Sequence, residues 1–311
     1  MIYRKIPGIN EPIPGITFGG AGISGEGGGY GFGKVSESDA EILLKSAYEA
    51  GITLFDTAPI YGFGLSEERM GKFLPKEAMI ITKSGVDWHE NMRVNMTNAK
   101  GVTEKMLHAS LKRLNRETID FYMIHWPDPK VDIGEPLDVL IKARDAGKIK
   151  YLGLCNTTPG DLAKADSLTE ISILQSELNL FHQEAFQRLG DAWKHRLSMG
   201  WGTFDKGILT GRVSENRKYD KEDARSWAPW WNKKEVLLKI ERTKSLQKIL
   251  TDYDLSLSDF CIQFSLNYFG LTSCLVGFKT VGDLVQVTSH LQANLMRERI
   301  EEVVERWKTC S

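Results

Sequence analysis

The stretch GITLFDTAPIYGFGLSEERMGKFL, residues 51–74, carries the pattern that decides the fold. Its apolar beginning is typical of a buried strand, and that strand ends on a carboxylate, Asp56. A loop rich in Pro and Gly follows and contains Tyr61, after which LSEERMGKFL is typical of a helix. The stretch therefore predicts one strand–loop–helix unit of an α/β fold, with an acid and a phenol beyond the carboxyl end of the strand.

The same unit recurs along the chain, where eight strand-like runs alternate with helical patterns. The runs are GITFGG, ITLFDTA, AMIITKSG, DFYMIHW, IKYLGLCN, ISILQSELN, LSMGWGTF and SCLVGFK. Strands that alternate with helices predict a parallel sheet covered on both faces, and eight units suit a closed (β/α)8 TIM barrel. We expect one domain over residues 1–311, with a short N-terminal hairpin and long loops at the C-terminal face. Ser36 or Ser38 is expected to cap the first helix.

Composition and charge are those of an ordinary globular protein. Charged residues make up 26% of the chain and the formal net charge is −1, so neither nucleic acid nor an anionic membrane is expected as a partner. The four cysteines lack C-x-x-C spacing, which argues against a zinc site and suits a reducing cytosol. We therefore expect a cytoplasmic protein without a metal, acting as a monomer or a weak homo-oligomer.

Two long loops interrupt the rhythm, and loops of this length in a compact domain are usually functional. Residues 209–235 form a polar, Trp-rich loop after the seventh strand, and residues 19–34 form a Gly-rich loop after the first. Gly20, Gly22 and Gly25 match G-x-G-x-x-G, which in a dinucleotide-binding Rossmann fold opens a helix directly. The glycines that follow cannot sustain a helix, so we favour a flexible loop beside a bound ligand.

Polar side chains stand at the ends of three consecutive strands. Asp56 ends the second strand, Lys83 the third and His125 the fourth, while Tyr61 follows shortly after Asp56. Taken singly, each has a plainer interpretation, such as a turn cap, packing at a rim or a solvated group. In a barrel, however, these strand ends converge on one mouth, and the joint placement favours a common site.

These side chains suit acid catalysis at a carbonyl oxygen. A phenol has a pKa near 10, which a nearby lysine would lower, while an aspartate would keep that lysine charged and oriented. A histidine can hydrogen-bond the same substrate oxygen, and the set forms a tuned general acid. Because the sequence has no Ser or Cys nucleophile motif, a hydride cofactor is the natural reagent for the carbonyl carbon.

The motifs, taken in order, resemble the aldo-keto reductase family. FDTAPIYGFGLSEERMG is similar to the family's strand-two signature, IITKSG to its lysine strand and DFYMIHWPDP to its histidine strand. GLCNTTPGDL resembles the G-x-S-N motif, with Cys155 where serine is common, and ILQSELNLF resembles Q-x-x-x-N. GWGTFDKGILTGR resembles Y-x-P-L-x-x-G-L-L-T-G, with Trp201 for the usual tyrosine. The resemblance implies a bacterial-type, NADP-dependent enzyme.

The resemblance also implies roles for individual residues. Tyr61 would be the general acid, tuned by Lys83 and Asp56, with His125 orienting the carbonyl. Trp201 would stack on the nicotinamide ring, the plainer interpretation being core packing. The residues expected at the cofactor are Gly20, Ala21, Asp56, Asn156, Gln175, Trp201, Gly202, Phe204, Lys206, Leu209, Arg212, Gly277, Lys279, Asp283 and Gln286.

Lys279 decides the expected cofactor. It follows the eighth strand and precedes the helical run TVGDLVQVTSHLQ, where a cation and a helix N-terminus suit the 2′-phosphate of NADP(H). Asp283 could pair with Lys279 and weaken this preference, so NAD(H) stays possible. We also expect part of the long loop to close over the cofactor's pyrophosphate, with Arg212 or Lys206 nearby.

Several aromatic and aliphatic side chains are candidate substrate walls. They include Ile23, Trp88, Trp126 and Trp227, together with Ala21, Trp230 and Trp231. Aromatic walls suit apolar aldehydes but also stack on sugar rings, so a sugar, a small aldehyde and a natural-product ketone remain open. The expected small-molecule partner is a carbonyl or an alcohol. The function is a carbonyl reductase, the same site run as a sugar or alcohol dehydrogenase, or a non-catalytic cofactor-binding regulator.

Overall fold

The computed structural model describes residues 1–25, 28–289 and 295–310 and shows a closed barrel of eight parallel strands. In chain order the strands are β1 (Tyr3–Arg4), β2 (Ile13–Pro14), β3 (Ile16–Gly19), β4 (Leu54–Asp56), β5 (Met79–Ser84), β6 (Val86–Trp88), β7 (Val94–Met96), β8 (Ile119–Ile124), β9 (Ile149–Cys155), β10 (Ile173–Glu177), β11 (Leu197–Trp201) and β12 (Ser273–Val276). The barrel runs β3-β4-β5-β8-β9-β10-β11-β12, and β12 closes it by pairing with β3. The predicted TIM barrel is confirmed.

Helices connect and cover the barrel strands. They are α1 (Glu37–Glu49), α2 (Leu65–Phe73), α3 (Lys100–Arg113), α4 (Gly134–Asp145), α5 (Pro159–Leu168), α6 (Glu184–Leu189), α7 (Lys233–Thr251), α8 (Leu257–Gln263), α9 (Val281–Ser289) and α10 (Arg297–Thr309). Ser36 caps α1, since its Oγ accepts a hydrogen bond from the backbone N–H of Asp39. The predicted last helix is described as α9, and positions 290–292 of that prediction lie outside the described residues. Within the described part, no helix is long and apolar enough to cross a membrane.

An apolar core fills the interior of the barrel, and polar side chains follow it at the carboxyl ends of the strands. Leu54, Ile81 and Met123 belong to one buried cluster in the barrel. Because side chains alternate along a strand, Asp56 and Lys83 share the inner face with Leu54 and Ile81, two residues further along. The hairpin β1–β2, predicted over residues 1–15, adds Ile13 to this cluster.

The Gly-rich loop agrees with the prediction that it does not open an α-helix, whereas one hairpin was not predicted. The Gly-rich loop folds tightly on itself, since a Cβ on Gly25 would lie 1.8 Å from the carbonyl oxygen of Gly33. Its G-x-G-x-x-G glycines do not open an α-helix, because α1 begins only at Glu37. Glu26 and Gly27 lie outside the described residues. The antiparallel hairpin β6–β7, which follows β5, was not predicted from the sequence.

Candidate active site

The carboxyl ends of the barrel strands enclose a cavity of about 960 Å³. Asp56, Tyr61 and His125 line it, and Lys83 lies buried next to Asp56. Leu209 is fully buried in the hydrophobic core and lies outside the cavity lining, so its predicted cofactor contact is not reproduced. The other residues expected at the cofactor all line the cavity: Gly20, Ala21, Asp56, Asn156, Gln175, Trp201, Gly202, Phe204, Lys206, Arg212, Gly277, Lys279, Asp283 and Gln286.

A buried ion pair lies at the base of the site. The Lys83 ammonium donates to both carboxylate oxygens of Asp56, at 2.7 and 2.8 Å, and to the carbonyl oxygen of Thr57 at 2.9 Å. Both charged side chains are 0% exposed. All three donors of the ammonium are therefore occupied, and the pair is fixed in one geometry. Gln175 Nε2 adds a 2.8 Å hydrogen bond to Asp56 and ties this carboxylate to β10.

The rings of Tyr61 and His125 lie next to each other and close to this ion pair. The Lys83 ammonium lies 5.6 Å from the centroid of the Tyr61 ring. The Tyr61 and His125 rings are 6.1 Å apart and nearly perpendicular, at 88°. The structure thus brings together the four predicted side chains, of which Asp56, Tyr61 and His125 line the cavity and Lys83 lies buried beside Asp56.

Burial sets the protonation states of the phenol and the imidazole. It raises the pKa of Tyr61 well above 10, and the negative charge of Asp56 raises it further. The expectation that Lys83 lowers the pKa of Tyr61 below its usual value is therefore wrong, because burial of the phenol raises this pKa most and the charge of Asp56 adds to the increase. Burial also holds the pKa of His125 well below 6.5, and the Lys83 charge adds to this effect. At neutral pH the phenol is protonated and the imidazole is uncharged.

These pKa directions predict how the two reaction directions respond to pH. Over the range from about pH 6 to 9, the phenol of Tyr61 stays protonated and the imidazole of His125 stays uncharged. The value of kcat/KM for carbonyl reduction should therefore change less than about threefold over this range. Alcohol oxidation needs the phenolate, so its rate should rise up to about tenfold per pH unit over that range. Initial rates in both directions check this. A reduction profile with an inflection near pH 6.5 that His125→Gln removes would contradict it.

Asn156 and Gln175, two amide side chains expected at the cofactor, lie on the cavity wall. Asn156 follows β9 with φ +53°, a left-handed conformation that Asn tolerates. Its Oδ1 accepts a 3.0 Å hydrogen bond from Trp201 Nε1, and its Nδ2 donates to the carbonyl oxygen of His125 at 3.1 Å. The Cys155 Sγ, where the motif usually has serine, donates to Gln175 Oε1 at 3.3 Å. Trp201 is therefore oriented by Asn156.

A tight turn after β11 forms the next part of the wall. Three successive residues have positive φ, namely Asp205 at 40°, Lys206 at 56° and Gly207 at 102°. The Lys206 ammonium is paired with Glu177 and, at 3.1 Å, with Asp205. Lys239 pairs with Asp205 at 2.7 Å and contacts His182 at 2.8 Å. Glu177, His182 and Asp205 lie close enough together to be considered as metal ligands. Because lysines already compensate both carboxylates, we propose no metal at this group.

The far end of the cavity holds a cation that also organises the Gly-rich loop. The Lys279 ammonium donates to the carbonyl oxygens of Gly22 at 2.7 Å and Gly33 at 2.9 Å, and so joins the two legs of that loop. Asp283, considered as a partner for Lys279, forms an ion pair with Arg212. Arg212 also donates to Gln286 Oε1 at 2.6 Å.

Part of the long loop, residues 213–231, here called the strap, reaches from β11 to the Gly-rich loop. The backbone N–H of Ala224 donates to the carbonyl oxygen of Gly31 at 3.0 Å. The Trp227 and Tyr30 rings are 5.5 Å apart, and the Arg225 guanidinium lies 5.4 Å from the centroid of Phe32. Both loops line the cavity, so the strap covers part of it.

The candidate substrate walls are only partly reproduced. Trp126 lines the cavity, as do Ala21 and Trp230. Ile23 is fully buried in the core, Trp88 packs on Phe63 and Trp227 packs on Tyr30, and these three candidates lie outside the cavity lining. Sequence reasoning missed the wall residues Tyr30, Ile60, Val86, Val94 and Met96. Val94 and Met96 belong to β7, whose short strand gave no usable pattern.

Comparison with known proteins identifies the family of this chain. A model described as the aldo/keto reductase family matches residues 15–308. The chain is 31% identical over 267 residues to the aldo-keto reductase YhdN of Bacillus subtilis (strain 168), covering 83% of this chain and 80% of that protein. It is 26% identical over 313 residues to the NADP(+) aldo-keto reductase yakc of Schizosaccharomyces pombe, covering 97% and 90%. It is 27% identical over 292 residues to an NADH-specific methylglyoxal reductase of Escherichia coli K12, covering 85% and 89%.

A solved structure gives the same result for the fold. The glycerol dehydrogenase AKR11B4 from Gluconobacter oxydans superposes with a TM-score of 0.83 at 29% identity. The match covers 98% of this chain and 95% of that protein. The similarity in fold therefore extends over nearly the whole chain.

Proposed function

Because the chain belongs to the aldo/keto reductase family, we propose that it transfers a hydride between NADPH and the carbonyl of an aldehyde or ketone. The family supports an oxidoreductase that acts on carbonyl compounds. The observation that carries the proposal is the buried Lys83–Asp56 pair beneath the Tyr61 ring, with His125 edge-on to that ring. The proposal also includes a single-domain organisation and a cytoplasmic location. The free cysteines suit such a location.

Each side chain then has one task in the reduction. Tyr61, protonated at neutral pH, donates its proton to the carbonyl oxygen as negative charge develops there. The neutral His125 donates a hydrogen bond to the same oxygen and fixes the direction of the carbonyl. Lys83 stabilises the phenolate that remains, and Asp56 holds the ammonium in place.

The cavity fits a nicotinamide dinucleotide along its length. The amides of Asn156 and Gln175 suit a carboxamide, and the turn at Lys206 and Gly207 lines the cavity where a pyrophosphate would lie. Lys279 and Arg212 supply cations at the far end. When bound, the nicotinamide supplies the hydride. Trp201 would pack against the nicotinamide ring and orient it.

The choice of NADPH over NADH rests on Lys279. Relatives of both kinds occur, since one is named for NADP(+) and another is NADH-specific. Lys279 follows β12 and lies close to the N-terminus of α9, where a 2′-phosphate would meet both a cation and backbone donors. The hydrogen bonds from Lys279 to Gly22 and Gly33 would place that cation at the base of the Gly-rich loop.

Lys279→Ala is expected to weaken NADPH binding by about 10- to 150-fold, the range for a lost charged hydrogen bond. NADH lacks the 2′-phosphate, so its dissociation constant should change much less. Fluorescence titration of both nucleotides measures this, and Lys279→Arg is the matched control because it retains the positive charge. If the alanine variant loses both nucleotides equally, Lys279 only holds the two legs of the Gly-rich loop together.

A second candidate function is an alcohol or sugar dehydrogenase that uses the same side chains in reverse. The similarity to a glycerol dehydrogenase favours it. A non-catalytic cofactor-binding regulator would retain the fold without needing the buried pair beside Tyr61.

A panel of aldehydes, ketones, sugars and alcohols, assayed with each nucleotide in both directions, separates these functions. We expect carbonyl reduction with NADPH to have the highest kcat/KM. Higher values for alcohols would favour the dehydrogenase. Nucleotide binding without turnover of any compound would favour the regulator.

A further inference from the structure

We infer that the substrate end of the cavity selects uncharged, apolar carbonyl compounds and rejects anionic ones, with Met96 of the β6–β7 hairpin as a determinant of this choice. The inference rests on the proposed function and names the substrate class of the same site. It follows from the way in which charge is distributed around the cavity.

Charged side chains are confined to one part of the cavity wall. Apart from the catalytic groups Asp56, Tyr61 and His125 and the phenol of Tyr30, every ionisable side chain among the described lining residues belongs to residue 177 or a later one. The loops that follow β3, β4, β5 and β8 therefore contribute no charge beyond the catalytic groups. The charged part is the one that we assign to the cofactor.

Apolar side chains form the wall around the catalytic phenol. Tyr61 packs in one cluster with Val86, Val94 and Tyr30. Val86 and Met96 are paired across the β6–β7 hairpin, so the hairpin presents an apolar edge to the cavity. The lining residues of this wall are Tyr30, Ile60, Val86, Val94, Met96 and Trp126.

The buried cation of the site cannot compensate an anionic substrate. The three donors of Lys83 are occupied by Asp56 and the carbonyl oxygen of Thr57. A carboxylate placed against the apolar wall would lose part of its hydration without gaining an ion pair, which is unfavourable. An alkyl or aromatic group at the same place would bury apolar surface.

Two aldehydes of similar size test this selection. 4-Methylbenzaldehyde and 4-carboxybenzaldehyde differ at one substituent, and kcat/KM for the first should be at least about 100-fold higher. Values within about threefold of each other would overturn the inference. D-Glyceraldehyde serves as a small polar carbonyl. Turnover of D-glyceraldehyde with neither benzaldehyde accepted would overturn the inference and leave the proposed reductase standing.

Two lysine substitutions on the same hairpin test the role of Met96. Met96→Lys should raise kcat/KM for 4-carboxybenzaldehyde relative to 4-methylbenzaldehyde at least about tenfold, because the new ammonium can pair with the carboxylate. Met92→Lys is the matched control, since Met92 lies at the exposed hairpin turn, outside the cavity lining. An equal change in both variants, or no change in Met96→Lys, would contradict a local role.

A binding measurement keeps the inference testable if no carbonyl is turned over. 4-Methylbenzyl alcohol and 4-carboxybenzyl alcohol are titrated into the protein with NADP⁺, and quenching of tryptophan fluorescence is followed. Tighter binding of the methyl compound supports the apolar wall even if the proposed reductase activity is absent. Equal binding, or tighter binding of the carboxylate, overturns the inference independently of activity.

Discussion

Replacing Tyr61 with phenylalanine is expected to lower kcat for carbonyl reduction at least about 100-fold, the usual scale of general acid catalysis. The substitution keeps the ring, its packing with Val86 and Val94, and its edge-on contact with His125. It removes only the hydroxyl that we propose as the proton donor to the carbonyl oxygen. Steady-state kinetics with NADPH and a good aldehyde from the panel measure the loss.

Tyr30→Phe is the matched control for this prediction. Tyr30 also lines the cavity and its ring packs on Trp227, but it is not part of the Asp56–Lys83 arrangement. Its kcat should stay within about threefold of the wild type, and both variants should bind NADPH normally. Turnover in Tyr61→Phe close to that of Tyr30→Phe would exclude Tyr61 as the proton donor.

Lys83→Met is expected to reduce the free energy of unfolding by about 3–5 kcal/mol, because it leaves the buried Asp56 carboxylate without its partner. Urea unfolding followed by circular dichroism measures this change. Activity should fall as well, since nothing then stabilises the phenolate of Tyr61.

Two further variants distinguish a buried pair from a general effect of removing charge. Adding Asp56→Asn to Lys83→Met removes the unpaired carboxylate and should recover most of the lost stability while activity stays low. Lys72→Met breaks the pair with Glu37, in which both side chains are exposed, and should change stability little. A double variant as unstable as Lys83→Met would show that the ammonium acts through contacts other than the carboxylate.

The strand ends made much of the site predictable from sequence. Asp56, Lys83 and His125 each follow an apolar run, and the twofold alternation along a strand placed Asp56 with Leu54 and Lys83 with Ile81 on the inner face. A barrel then has one mouth where these ends converge. Strand alternation and barrel geometry are enough to bring these side chains together, and the structure agrees with this prediction.

Features that depend on contacts distant in sequence were not predictable. The hairpin β6–β7 has three-residue strands with mixed polarity and no Asn-Gly turn signal, so its sequence VDWHENMRVNM gave no strand pattern. The contacts of Lys279 are to backbone carbonyls in a loop more than 240 positions away. The pKa of Tyr61 depends mainly on the burial of its phenol, and the residues adjacent in sequence do not reveal how deeply it is buried.

The contact between the strap and the Gly-rich loop has a kinetic consequence. The strap leaves β11 and the Gly-rich loop leaves β3, and these two strands flank β12, so the loops close a ring of chain over the end of β12. If the proposed dinucleotide lies beneath this ring, we expect it to dissociate only after the hydrogen bond from Ala224 to Gly31 and the ring contacts of Trp227 and Phe32 have opened. With reactive substrates this opening would limit each cycle, and chemically different aldehydes would then share one maximal rate.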